Sequence, residues 1–320
     1  MIEGTLAVWL NISAIAVISF VAANIIVSIL VAIFDAKVAR FELKSRKVAL
    51  WLVVTLPWVA ALVVALYFSL SDLSSPFVQQ TGAYAHWHHM TTFELASWHA
   101  ATLILALLGL SFTVLKKLRA LRQHQQSMQS LHGLSTSLSD GVYQLKTSEL
   151  SAFASGFIKQ RCYITSGLLA NSSEDEQQVI LMHERAHMAS RDPLKKWLFN
   201  LLASFFVIPI AQRLKLQMVL AMEQAADNAV IGSKYSSTFI ASTLVKVARL
   251  NANSHNFVDN EMVSSFGAEI LEQRVYSLLG ELTLKPISSP LTITLMIIVT
   301  AVSAYSIDAI HHLIETLFTH

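Results

Sequence analysis

The chain has 320 residues, of which 54% are hydrophobic and only 14% charged, and its mean hydropathy is +0.52. Soluble domains carry nearer a quarter charged residues, so this composition sets the chain apart from them. A net charge of +2 without any block of like charges argues against direct nucleic-acid binding, and a single cysteine, Cys162, excludes an intrachain disulfide.

In chain order, the run Leu6 to Phe34 carries no charge. It is too long for a signal-peptide core, and Glu3 stands where a basic flank belongs, so a retained membrane span is expected. The loop 35–47 holds Lys37, Arg40, Lys44, Arg46 and Lys47, which places it on the cytoplasmic side. Val48 to Leu70 is the second expected span. The next loop, 71–94, has no Lys or Arg and is expected to face outward. Its His86, His88 and His89 read as solvated loop residues rather than as a metal or pH sensor. Leu95 to Leu115 is the third span, followed by the basic edge KKLRALR at 116–122.

Residues 122–141 read as an exposed helix or a linker. The segments 141–146, 151–158 and 161–166 combine β-branched and aromatic residues between small turn residues, which predicts two or three strands. Ser173 with Glu176 three positions on is a capping-box pattern opening a helix that ends near Arg191-Asp192-Pro193. After the apolar stretch 197–210 a second helix is expected from about Ala211 to Gly232. Further helices are expected over 237–250 and 269–280, then a short fourth span over 291–307 and an outward tail without Lys or Arg. The expected organisation is 1–115 with three spans, 116–286 as a cytoplasmic domain, and 287–320 as the fourth span with its tail. The fold class is thus a mainly α membrane protein with a cytoplasmic α+β domain.

Within that domain, LMHERAHMASRDP (181–193) places His183 and His187 one helical turn apart. Two neutral imidazoles can hold one Zn²⁺, and Glu184 beside them can reach a metal-bound water as a base; this is the H-E-x-x-H pattern of zinc peptidases. Alone it also occurs by chance on a polar helix face. A catalytic zinc needs a third protein ligand, and the candidate is Glu223 in MEQAAD, with Asp227 one turn later placed to accept a hydrogen bond from a ligating histidine. This sets a topological condition. If 197–210 crossed the membrane, Glu223 and His187 would lie on opposite sides, so a re-entrant or interfacial segment is expected there. Cys162 reads as a small buried apolar residue.

HERAH followed by RDP, an apolar segment with a proline and then E-x-x-x-D resembles the BlaR/MecR family of membrane zinc metallopeptidases. These are gluzincins related more distantly to the HtpX/Ste24 proteases. GFIKQRCYITSGLL (156–169) and EILEQRVYSLLG (269–280) resemble further segments of that family. The resemblance implies a gluzincin-like zinc metallopeptidase domain with His183, His187 and Glu223 as zinc ligands, Glu184 as catalytic base and Asp227 as the histidine's partner. It also implies a substrate-binding edge strand, assigned to Phe153, Ala154, Ser155, Gly156 and Phe157. The implied location is the bacterial inner membrane, with both termini periplasmic and the active site cytoplasmic. Only about a dozen residues follow Asp308, where antibiotic-sensing members carry a penicillin-binding domain.

The leading function is therefore an endopeptidase that cleaves a protein or peptide in regulated proteolysis, either a transcriptional repressor or itself. A separate periplasmic sensor partner and an oligomer are compatible with the sequence. The competing readings are a membrane-protein quality-control protease of the HtpX/Ste24 kind and a non-catalytic membrane sensor.

Overall fold

Long runs of Ala, Leu, Ile and Val with few charges build three helices: α1 (Thr5–Val38), α2 (Leu43–Ser71) and α3 (Trp98–Gly133). The computed structural model describes the chain except residues 39–40, 72–89, 158, 232–233, 255–260, 281–285, 287 and 319–320. His86, His88, His89 and His320 lie outside the described residues, as do the side chains of Asp308, His311 and His312. Among the described residues three helical stretches are long and apolar enough to cross a membrane: Thr5–Phe34, Leu43–Leu70 and Trp98–Gly133. The expected fourth span falls in α10 (Ser289–Phe318), whose apolar stretch Thr292–Ile307 is shorter and which packs against α1 and α2.

The third apolar helix differs from its expected bounds at both ends. Ser97 caps it, its hydroxyl accepting from the Ala100 N–H, so Leu95 lies outside the helix. It then runs on to Gly133, which makes RQHQQSMQSLHG its continuation rather than a linker. Ahead of it a short strand pair, β1 (Ile2–Glu3) with β2 (Thr92–Phe93), joins the chain start to the entry of α3. Asn11 on α1 donates to the carbonyls of Met90 and Thr92 at 3.1 and 3.0 Å, so its buried amide is partnered.

Beyond α3 a four-stranded sheet forms from β3 (Ser135–Ser139), β4 (Val142–Leu145), β5 (Ala152–Ser155) and β6 (Arg161–Thr165), in the order β3-β4-β6-β5. Only the β4–β6 pair is parallel. β3 was not expected: STSLS is nearly all exposed and polar, so no apolar alternation marks it. The β5–β6 turn depends on Gly156, at φ +102°, where a Cβ would come within 2.2 Å of the Lys159 carbonyl oxygen.

The short α4 (Ser166–Asn171) leads into α5 (Glu174–Ala189), which opens with the capping box: Ser173 N–H donates to Glu176 Oε2 at 2.7 Å, and Ser173 Oγ accepts from Glu176 N–H at 3.3 Å. After a tight turn come α6 (Asp192–Ala203), α7 (Ile208–Ile231), α8 (Ser237–Ser254) and α9 (Glu261–Leu278). The stretch 197–210 is thus a helical hairpin tip. The chain breaks at 204–207 and re-enters a helix at Ile208, with Pro209 in the first turn, where its missing N–H costs nothing.

One apolar core joins this hairpin to the long helices. Phe199, Ala203 and Phe206 pack with Ile210, Leu214, Met218, Ala221 and Met222 of α7, with Ala23 and Val27 of α1, and with Leu50, Val54 and Ala60 of α2. The tip sits deep along α1: Asn24 Nδ2 donates to the Phe205 carbonyl at 3.3 Å, and the Phe205 ring meets Trp58 and Phe20 edge-on at 5.1 and 6.2 Å. At a rise of 1.5 Å per residue, Asn24 lies about 15 Å along the helix from Phe34, half the ~30 Å thickness of a hydrocarbon core.

Candidate metal centre

The first two candidate ligands come from α5. Spacing of four on a helix stacks His183 over His187, with the rings 4.7 Å apart and nearly perpendicular. Their Nε2 atoms converge to 3.1 Å. Glu223 arrives from α7, carried back by the hairpin, with Oε2 at 3.3 Å from His183 Nε2 and Oε1 at 3.5 Å from His187 Nε2. A tetrahedral Zn²⁺ with ligands at about 2.0–2.1 Å sets its ligand atoms about 3.3 Å apart. The three donors already stand at 3.1–3.5 Å, so nitrogen and oxygen donors of the right kind are gathered at the right separation.

Each histidine is oriented from behind. His183 Nδ1 lies 3.0 Å from Asp227 Oδ1, one turn beyond Glu223 on α7, within ion-pair reach but off hydrogen-bond alignment. His187 Nδ1 lies 2.8 Å from Asp192 Oδ2. A carboxylate on Nδ1 leaves Nε2 as the free lone pair and fixes the ring plane. Asp192 gets there because Arg191 turns the chain in the left-handed region, at φ 53°, which folds α6 back on the end of α5. The RDP string alone assigns Asp192 no role. A carboxylate just past the second histidine, at the turn out of the helix, was the signal available.

Arg274 on α9 closes the cluster. Its Nε and Nη2 donate to the two Asp227 oxygens, both at 2.8 Å, and Nη1 lies 3.0 Å from Glu223 Oε2. The resemblance of EILEQRVYSLLG includes Arg274, but the sequence does not mark its partners, since Asp227 lies 47 positions away with no local pattern joining them. The electrostatics follow. Burial alone would raise the Glu223 carboxyl, but hydrogen bonds from His183 and His187 and the Arg274 charge hold it well below the usual carboxylate range. Burial would lower His187, yet Asp192 and Glu223 push it up to about 9 in the absence of metal. Desolvation raises Glu184, an effect offset in part by the charges of both histidines. Cys162 is buried, and burial pushes its thiol up to about 12, so it is inert.

β5 is the open edge of the sheet. Thr165 N–H donates to the Ser151 carbonyl, so 151/165, 153/163 and 155/161 are the mutually bonded pairs. The backbone groups of Ala152 and Ala154 therefore point away from β6. Of the five residues expected to form the edge strand, Phe153, Ala154 and Ser155 lie in β5, while Gly156 and Phe157 lie in the turn beyond it. A cleft of about 1610 Å³ runs along this edge and over the triad, lined by Phe153, Ala154, Phe157, Trp197 and, from α3, Leu121 and Met128.

No curated protein matches the chain. Residues 122–278, which hold the sheet, the triad and Arg274, match the model of Peptidase family M48, and this supports a gluzincin-type metallopeptidase domain in a chain with three candidate membrane-spanning helices.

Proposed function

We propose that the chain is a membrane-anchored zinc endopeptidase of the inner membrane that cleaves a protein or peptide bound as an added strand along β5. The observation that carries this reading is the convergence of His183, His187 and Glu223 at zinc-ligand separation with Glu184 adjacent. Zinc in that triad supplies Lewis acidity and lowers its bound water's pKa to about 7. Asp192 and Asp227 hold the two imidazoles in the ligating tautomer. An extended substrate pairs with the outward groups of Ala152 and Ala154, which brings its scissile carbonyl over the triad. Glu184 takes the proton of the attacking water and hands it to the leaving amine nitrogen as the C–N bond breaks.

The reading places the site on the cytoplasmic face, following the distribution of Lys and Arg, with the α6–α7 hairpin re-entrant. The depth of Phe205 along α1 supports this, as does the Asn24 amide that satisfies its carbonyl where water is absent. The role is regulated proteolysis in the manner of the BlaR/MecR family, whose motifs the chain resembles; a quality-control protease would use the same chemistry on many substrates instead of one. Glu184→Gln tests the chemistry: zinc content stays at one per chain while peptide cleavage falls about 10²–10⁴-fold. Undiminished cleavage in that variant would sink the mechanism.

A further inference from the structure

Arg46 sits in the first turn of α2 and was counted above among the basic residues of a loop, yet it is only 2% exposed. A cation at a helix N-terminus opposes the helix dipole, and burying it adds a desolvation cost. Its position is therefore specified by what it holds. The Arg46 Nη2 donates to the Gln224 Oε1 on α7. Gln224, itself 5% exposed, donates from Nε2 to the Gln273 carbonyl on α9 at 3.1 Å. Each link is one residue from the metal site: Gln224 follows Glu223, and Gln273 precedes Arg274, which grips Glu223 and Asp227. A glutamine amide suits this place because it accepts from one helix and donates to another.

We propose that Arg46 is a positioning residue that ties the membrane helix α2 to the metal centre. Through Gln224 it sets the spacing of α7 and α9, so that Arg274 reaches both carboxylates and Glu223 stays aimed at the histidines. A displacement of α2 within the membrane bundle then changes how the site holds its metal, which gives a signal arriving at the spans a physical route to the site. This rests on the reading of the triad as a zinc site. The competing explanation is that Arg46 merely caps the apolar interface of Leu50 and Val54 with Met218 and Ala221.

The test uses the full-length chain in detergent, with the zinc dissociation constant measured by chelator competition beside thermal unfolding of the metal-free protein. Arg46→Met removes the cation. Gln224→Met removes both the acceptor for Arg46 and the donor to Gln273 without adding a charge, so it decides the matter even where Arg46→Met fails to fold. Both variants are expected to weaken zinc binding about tenfold or more and to alter the visible spectrum of the cobalt-substituted site. Arg46→Lys, which retains a donor, recovers most of the affinity. Wild-type zinc affinity and cobalt spectrum in Gln224→Met would overturn the proposal, as would losses that follow the unfolding temperature equally in all three variants. If the wild-type chain takes up no zinc, the underlying zinc reading falls and this inference with it. If wild type binds zinc and the variants match it, this inference alone falls.

Discussion

Helix α3 and the α6–α7 hairpin are both apolar runs in the sequence, and they meet opposite fates. On α3, Ile104, Leu105, Leu107, Leu108 and Phe112 face outward, without protein partners covering them. In the hairpin, Phe199, Ala203 and Phe206 are buried against α1 and α2. Hydropathy records that both avoid water; it does not say whether lipid or protein replaces it. The difference has a functional consequence. A run that packs on neighbouring helices can turn back, and by turning back the hairpin brings Glu223 beside His183 and His187.

The sharpest way to break this contrast is to cut into the hairpin core. Phe199→Ala should cost about 3–5 kcal/mol of stability, read as unfolding of the detergent-solubilised chain, with zinc lost as α7 loosens. A cost below about 1 kcal/mol would mean that the packing of the hairpin on α2 is not what positions α7. Next comes the turn between α5 and the hairpin: Asp192→Ala should lower zinc affinity or activity about 10–100-fold by freeing the His187 ring, and an unchanged zinc affinity would remove Asp192 from the site.

The pH dependence of zinc uptake and that of the metal-free fold are expected to have opposite signs. With His187 at about 9 in the metal-free chain, zinc uptake near neutral pH must displace its proton. Apparent affinity should thus fall about tenfold per unit of acidification below that value. Calorimetry in buffers of differing ionisation enthalpy would detect the released proton, and its absence would contradict the assignment. The linked effect on the metal-free fold has the opposite sense: a raised histidine pKa stabilises it fully below about 6.5, and that contribution is lost as pH rises through about 9. The smallest effect belongs to α3, where Leu108→Ala should change stability by no more than about 0.5 kcal/mol, since no protein packing is lost.

What could be read in the sequence follows the range of the interactions involved. The capping box at Ser173, the His183–His187 spacing and the Glu223–Asp227 spacing are local patterns set by helix geometry, and each is where the pattern placed it. The strands β4, β5 and β6 were legible from β-branched and aromatic residues bounded by glycine, but β3 was not, because an exposed polar strand owes its place to pairing with β4 alone. Arg46, Gln224 and Arg274 were not legible as a set. Their partnerships join residues 178 and 47 positions apart, and nothing near any of them in sequence marks a partner. For residues 122–141 the sequence leaves an exposed helix and a linker both open, because polar residues continue a helix as readily as they begin a linker.

The most direct test is the zinc content of the purified wild-type chain beside His187→Ala and Glu223→Ala. One zinc per wild-type chain, sharply reduced in both variants, is the expected result; it would put residues from α5 and α7 on one metal and require the chain between them to return to the same side. Zinc retained in Glu223→Ala would remove the third ligand, reopen 197–210 as a crossing segment and contradict the central claim.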